Sequence, residues 1–250
     1  MEVVTPRSLD EALRLKAERP DARPIAGGTD LLVELNFDRA RPETILNLNE
    51  VAELRGWSRE NGELRLGSGL TYAEAMRAPL SDLLPALAEA SRTVGSPQIR
   101  TRGTIGGNLG TASPAGDALP PLLVEDAQVE LGSVRGVRSL PLAEFLVLAV
   151  RLTPSGQPQT FMKVGPRNAM VIAVCSVALV ADRERGELRA AYGSSGPVVG
   201  LVTAPLEEAD GFADAVASAA SPIDDVRGTA AYRRHALQVL VARALKRCLA

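Results

Sequence analysis

The sequence predicts an α+β protein in two parts: a two-lobed domain over residues 1–152, with lobes at 1–54 and 55–152, and a smaller α+β domain over 158–250. Three observations carry that reading. The stretch Thr101 to Leu123, TRGTIGGNLGTASPAGDALPPLL, packs Gly103, Gly106, Gly107, Gly110 and Gly116 into a run almost free of charge. A second glycine turn, Pro24-Ile25-Ala26-Gly27-Gly28-Thr29-Asp30-Leu31, lies upstream between a predicted strand and a predicted helix. The segment Thr153 to Pro158 has the Pro, Gly and Ser content of a linker, and the pattern beyond it changes to successive strands and then two helices.

In the first lobe, Ser8-Leu9-Asp10-Glu11 reads as a capping box, with Ser8 closing the first turn and Glu11 reaching back. The helix it opens carries Leu9, Ala12, Leu13 and Lys16 along one stripe, with Pro20 just past its end. Arg23–Ala26 is a short strand entering the first glycine turn, Asp30–Asn36 a helix with Leu31, Leu32 and Leu35 as its apolar face, and Thr44–Leu48 a strand. In the second lobe, Leu54–Arg59 and Glu63–Gly67 flank Asn61-Gly62, the residue pair of a tight hairpin. Thr71-Tyr72-Ala73-Glu74 is a second capping box, Pro85–Thr93 a helix ending at Gly95, Leu119–Val124 a short helix and Gln128–Leu131 a strand. After the linker, strands are expected at Phe161–Val164, Met170–Ala181, Glu187–Gly193 and Val198–Thr203, in an antiparallel meander. Helices follow at Glu207–Ala219 and Thr229–Leu249. The last carries Leu237, Leu240, Val241, Ala244, Leu245 and Cys248 on one broad face.

Composition removes several functions. A net charge of −2 and an aromatic content of 3% give neither a phosphate-binding face nor a base-stacking platform for nucleic acid. Two cysteines, Cys175 and Cys248, are too few for a four-thiolate iron–sulfur cluster, and with His235 as the one histidine a zinc site is not expected. Cys175 lies in an apolar run and reads as a buried thiol. No basic-plus-apolar leader opens the chain, and Met170–Ala181, the longest apolar run, is too short to span a bilayer, so the expected location is the cytoplasm. The nucleotide-triphosphate loop, the G-x-G-x-x-G dinucleotide fingerprint and the G-x-S-x-G nucleophile elbow are all missing. No catalytic residue and no metal ligand is assigned.

What remains is the glycines. At this density they let backbone approach a ligand closely and reach conformations closed to other residues. Successive exposed N–H groups in such turns form anion-binding nests, and Thr104, Asn108, Thr111 and Ser113 add short hydrogen-bonding side chains. Either turn alone could be no more than a tight turn; two nests together suit a ligand with two phosphates.

These residues resemble a known family. Pro24 to Leu32, together with Thr104-Ile105-Gly106-Gly107-Asn108-Leu109, Ala112-Ser113-Pro114 and Asp117, is similar to the two FAD loops of the flavoprotein subunit of molybdenum hydroxylases. That family includes the medium subunit of carbon monoxide dehydrogenase and the FAD domain of xanthine dehydrogenase. Phe161 to Ala169 resembles the segment after the family's FAD domain, and Asp225-Val226-Arg227-Gly228 with Ala231 to His235 resembles its C-terminal helix signature. The resemblance covers essentially the whole chain. It implies the two-lobed FAD-binding fold of the vanillyl-alcohol oxidase-like (PCMH) type, followed by a small α+β domain with an antiparallel sheet and helices.

By the same resemblance, FAD is the cofactor. Pro24, Ile25, Ala26, Gly27, Gly28, Thr29, Asp30 and Leu31, with Thr104, Ile105, Gly106, Gly107 and Asn108, would wrap its pyrophosphate through backbone N–H groups. Ser113 and Asp117 belong to the same site, Asp117 at the adenosine end, while Val94 and Lys163 fall where the family approaches the flavin. A lysine there would stabilise negative charge on the reduced ring, although a surface lysine is the plain alternative. The implied partners are a small subunit with two [2Fe–2S] clusters and a large molybdopterin subunit, in a hetero-oligomer that passes electrons through FAD to an external acceptor. One departure matters: after Leu142-Ala143-Glu144-Phe145 relatives continue through a Gly- and Pro-containing loop, part of which lies over the flavin, whereas here Phe145 runs directly into Leu146–Leu152. The region between Thr203 and Ile223 is also abbreviated. The shortening motivates one other reading, a scaffold subunit with weak or no FAD binding; a stand-alone flavoprotein oxidoreductase that acts without metal subunits is a second.

Overall fold

The computed structural model describes residues 1–134, 136–137, 146–168 and 170–250, so the shortened segment at Leu142–Phe145 lies outside the described residues. In chain order the elements begin with β1 (Glu2–Val4), α1 (Leu9–Glu18), β2 (Arg23–Ile25), α2 (Leu31–Asn36) and β3 (Thr44–Asn47). The hairpin β4 (Trp57–Glu60) and β5 (Glu63–Gly67) follows, then α3 (Tyr72–Ala75), α4 (Leu80–Leu83), α5 (Pro85–Thr93), α6 (Pro97–Arg100), α7 (Ile105–Thr111) and α8 (Leu119–Val124). Next come β6 (Gln128–Ser133), β7 (Gly136–Val137), β8 (Leu146–Leu152), β9 (Gln159–Val164), β10 (Cys175–Asp182), β11 (Glu187–Gly193) and β12 (Gly200–Pro205). Helices α9 (Ala209–Ala219) and α10 (Ala230–Leu249) close the chain.

The chain divides into two compact units that cut across the contiguous domains expected from sequence. The first comprises residues 1–74, 98–111 and 128–152. It holds a parallel sheet in the order β1-β3-β2 and an antiparallel sheet in the order β4-β5-β8-β6-β7. Asn61 and Gly62, at φ of 51° and 86°, turn the β4–β5 hairpin in the left-handed conformation that this residue pair favours. Ser8 caps α1 by accepting the Glu11 N–H, but the Glu11 carboxylate reaches past Ser8 to the Arg7 N–H at 2.8 Å. The Thr71 box closes in both directions: Glu74 Oε2 takes the Thr71 N–H at 2.8 Å, and Thr71 Oγ1 takes the Glu74 N–H at 3.2 Å. Ala12, Ala22, Leu46, Val51, Leu54 and Leu148 form a core of this unit.

The second unit comprises residues 75–97, 112–127 and 153–250. Its antiparallel sheet runs β12-β11-β10-β9, the expected meander. Every residue of β10 is buried, because helices cover both faces of the strand. Cys175, Val177, Leu179 and Ala181 point into a core shared with Phe212 and Val216 of α9 and Leu237, Val241 and Leu245 of α10. Ala178 and Val180 point the other way, into a core with Ala86 and Ala90 of α5 and Val124 of α8. A strand buried on both faces reads as a continuous apolar run rather than an alternating one.

Two expectations need correction. The strand predicted over Met170–Ala181 begins only at Cys175; β9 ends at Val164, whose carbonyl takes the Val174 N–H at 2.8 Å, Pro166 follows without an N–H, and residues 170–173 have no ladder partner among the described residues. Met170 takes φ +53° instead, and Met170 and Ile172 are exposed. On α2, Leu31 is buried but Leu32 is 49% exposed; its side chain lies over Gly28, where an added Cβ would meet Leu32 Cδ1 at 3.0 Å.

Candidate cofactor-binding site

The two glycine turns come together in the first unit, around a cleft of about 590 Å³. Residues 24–31 line it, with Thr104, Gly106, Gly107, Asn108, Gly110 and Thr111 facing them. Its volume falls within the range of natural small-molecule sites.

The turns differ in construction. In the first, β2 delivers the chain into a left-handed step at Gly28 (φ +75°), and α2 begins at Leu31. Gly27 is wedged against the loop before α7: a Cβ there would fall 1.9 Å from the Arg102 carbonyl oxygen. The Asn49 side chain holds the preceding residue by donating to the Ala26 carbonyl at 2.9 Å. Among the described residues, the backbone N–H groups of Gly27, Gly28, Thr29, Asp30 and Leu31 meet no acceptor in the chain. A run of open amides around a left-handed glycine is the geometry of an anion nest.

The second turn is not a nest. Residues 105–111 are helical, and the first amides of that helix are already used. Ile105 donates to the Leu70 carbonyl at 2.8 Å and Gly106 to the Ser68 carbonyl at 2.9 Å. Gly107 donates to Thr104 Oγ1 at 2.9 Å and Asn108 to the Thr104 carbonyl at 3.0 Å. The expectation that residues 104–108 wrap phosphates through backbone N–H groups therefore needs correction: Thr104 acts as a helix cap, and the segment offers the cleft a side-chain-free wall at Gly107 and Gly110. Gly106 is there for packing, since its Cβ would lie 2.3 Å from Ser68 Cβ. Ile105 is fully buried below the cleft.

The other predicted residues belong to the second unit. Asp117 Oδ2 and Lys163 Nζ form a buried ion pair at 2.6 Å, and Lys163 also donates to the Thr93 carbonyl at 3.3 Å. The surface-lysine alternative is thereby removed. The two residues, expected at the adenosine end and near the flavin, are thus in direct contact. Burial pushes the Asp117 carboxyl upward, and the Lys163 charge pulls it back only in part. Asp117 Oδ1 is buried with no hydrogen-bond partner. Val94 follows the end of α5 and is half-buried, and Ser113 Oγ accepts the Ala115 N–H at 3.2 Å in the turn before Asp117.

Sequence reasoning missed Lys16, Ser68, Tyr72 and Val147, which also line the cleft. Two left signals. Lys16 stands on the apolar stripe of α1, and Ser68 sits between Gly67 and Gly69, whose Cβ atoms would lie 2.4 and 2.9 Å from the Leu54 carbonyl oxygen. Tyr72 and Val147 left none.

A diphosphate-bearing cofactor fits the cleft of the first unit: open amides at Gly27–Leu31 and a glycine wall facing them. These features define a dinucleotide-holding α+β protein. The chain belongs to the family of FAD binding domains in molybdopterin dehydrogenases, whose model matches residues 1–156, and FAD is its cofactor. The xanthine dehydrogenase FAD-binding subunit of Escherichia coli O157:H7 is 29% identical over 276 residues, covering 97% of this chain and 94% of that relative. The nicotinate dehydrogenase FAD-subunit of Eubacterium barkeri is 39% identical over 147 residues, covering 58% of this chain and 50% of that relative. Among solved structures, carbon monoxide dehydrogenase from Hydrogenophaga pseudoflava superposes with a TM-score of 0.90 at 25% identity, covering 100% of this chain and 97% of that one.

Proposed function

We propose that this chain is the electron-relay subunit of a molybdenum hydroxylase-type complex. In this reading it takes electrons from the [2Fe–2S] clusters of a small partner subunit, whose donor is a large molybdopterin subunit, and passes them to an external acceptor. The observation that carries the reading is the run of open amides at Gly27–Leu31 in a chain of this family. Bound FAD supplies the redox chemistry, accepting and releasing electrons. The protein supplies binding and orientation. The Gly27–Leu31 amides hold the pyrophosphate, Gly107 and Gly110 let it approach, and Asp117 Oδ1 accepts from the cofactor. Lys163 holds Asp117 in place through their contact at 2.6 Å. The iron–sulfur step falls to another chain, since two cysteines are too few for a four-thiolate cluster.

Relatives named as medium subunits or chains of dehydrogenases and hydroxylases support the assembly. No helix among the described residues is long and apolar enough to cross a membrane. The test is the visible spectrum of the purified full-length chain, followed by co-expression with candidate iron–sulfur and molybdopterin subunits. Near-stoichiometric flavin bands and a stable ternary complex whose flavin is reduced by the substrate of the large subunit are expected. A colourless chain that takes up no added FAD sinks the cofactor assignment. A flavin-loaded chain that forms no such complex sinks the relay.

A further inference from the structure

Lys16 brings a charge into the cleft that the nest does not account for. It stands in the last turn of α1 and is 6% exposed. Its ammonium donates to the carbonyls of Pro20 and Ala22, the second at 3.0 Å. An ammonium has three N–H donors, so one is left without an acceptor among the described residues, on an amine that lines the cleft. No carboxylate forms an ion pair with it among those residues. Burial lowers its pKa, with Asp21 opposing and Arg23 adding to that shift. A buried donor left open beside a ligand cleft is met by water or by the ligand that fills the cleft.

The charges at this end of the cleft indicate which kind of partner. Lys16 and Arg23 are balanced by Asp21 and Glu34, and Arg23 is paired with Glu34 at 3.2 Å. A locally neutral environment does not attract a further phosphate. It suits an uncharged ring bearing acceptor atoms, for which one open N–H is the complementary group. We propose that Lys16 is a ligand-reading residue that donates its third N–H to an acceptor nitrogen or oxygen on one of the two heterocycles of the bound dinucleotide. The inference rests on the FAD reading of the cleft. Adenine and flavin share the acceptor chemistry, and a test with two probes separates them.

The full-length chain, stripped of flavin, is titrated with ADP and separately with FMN, as wild type, Lys16→Met and Lys16→Gln. The Gln amide keeps N–H donors at the position without the charge, so it serves as a second variant against a fold defect in the Met variant. Both variants are expected to lose about tenfold or more in affinity for one probe, the scale of a charged hydrogen bond, while the other stays within about twofold. Loss confined to ADP places the purine against Lys16; loss confined to FMN places the flavin there. Unchanged affinity for both probes overturns the inference, as does an equal loss for both, which marks Lys16 as a brace for the turn at residues 19–22. Wild type that binds FAD, with variants like it, overturns Lys16 alone. Wild type that binds neither FAD nor the probes overturns the cofactor reading with it.

Discussion

The residues expected to hold FAD divide into two sets with opposite physics. In the first unit the site is made of backbone: open amides at Gly27–Leu31, a left-handed Gly28, and glycines opposite them. In the second unit it is made of buried charge, with Asp117 and Lys163 in contact away from water. A backbone site has nothing to titrate and tolerates pH, but fails when a side chain is added. An ion-pair site tolerates added bulk nearby but fails when one charge is removed or neutralised.

The largest effect should come from the charged set. Lys163→Met leaves Asp117 buried without its counter-ion, and breaking a buried pair this way costs about 3–5 kcal/mol. Because burial already raises the Asp117 pKa, the folded state of the variant binds a proton more readily than the unfolded chain. Its stability therefore falls as pH rises through the window above the ordinary carboxylate range, and recovers as pH drops toward about 4. Denaturant melts of the apo chain at neutral and mildly acidic pH check this; a deficit independent of pH would mean that Asp117 is not the group left exposed to the penalty.

Next comes Gly27→Ala. The new Cβ would sit 1.9 Å from the Arg102 carbonyl oxygen, a backbone atom that cannot swing aside. Overpacking of this kind costs about 3 kcal/mol, and the shift needed to relieve it misaligns the open amides, so FAD retention should be lost along with stability. The cost should be the same at pH 5 and pH 8, unlike that of Lys163→Met. Gly107→Val is expected to separate binding from folding. Its Cβ meets only Thr104 Oγ1, at 3.0 Å, so the fold should survive near wild-type stability. Flavin content should fall sharply because the side chain enters the cleft, while Cys175→Ser leaves it unchanged. Full flavin content in the Gly107 variant would show that this wall does not face the cofactor.

The backbone set was legible in the sequence because its signals are local. Glycine density marks close approach wherever the chain ends up, and the capping residues at Ser8 and Thr71 fix nearby helix starts. Even so, density alone did not distinguish a nest from a helix wall. Thr104 decides that through its cap, and Gly106 through its packing on Ser68, a contact between segments distant in sequence. The charged set was less legible. Asp117 and Lys163 are separated by 46 positions, and nothing in either segment states that they meet. The same limit applies to α5 and α8. Their sequences marked them as helices but not the surface of β10 that they pack on, so the compact units could not be read from contiguous sequence. The β10 strand was readable, though not its start at Cys175, because its apolar run, interrupted at Ser176 and ending at Asp182, is close to what burial on two faces requires.

The smallest effect sharpens the contrast inside the backbone set. Gly110 lines the cleft from α7, and no atom lies within 4 Å of where its Cβ would stand. Alanine is the better helix former by about 0.5–1 kcal/mol, so Gly110→Ala should stabilise the apo chain, raising Tm by about 2 °C. A glycine that weakens its own helix without relieving a clash is kept for what approaches it. The same substitution should therefore cost FAD affinity, less than Gly107→Val because the added group is one methyl. Higher Tm with weaker flavin binding would place the second turn as a wall for the cofactor. Higher Tm with unchanged binding would confine the cofactor to the Gly27–Leu31 amides.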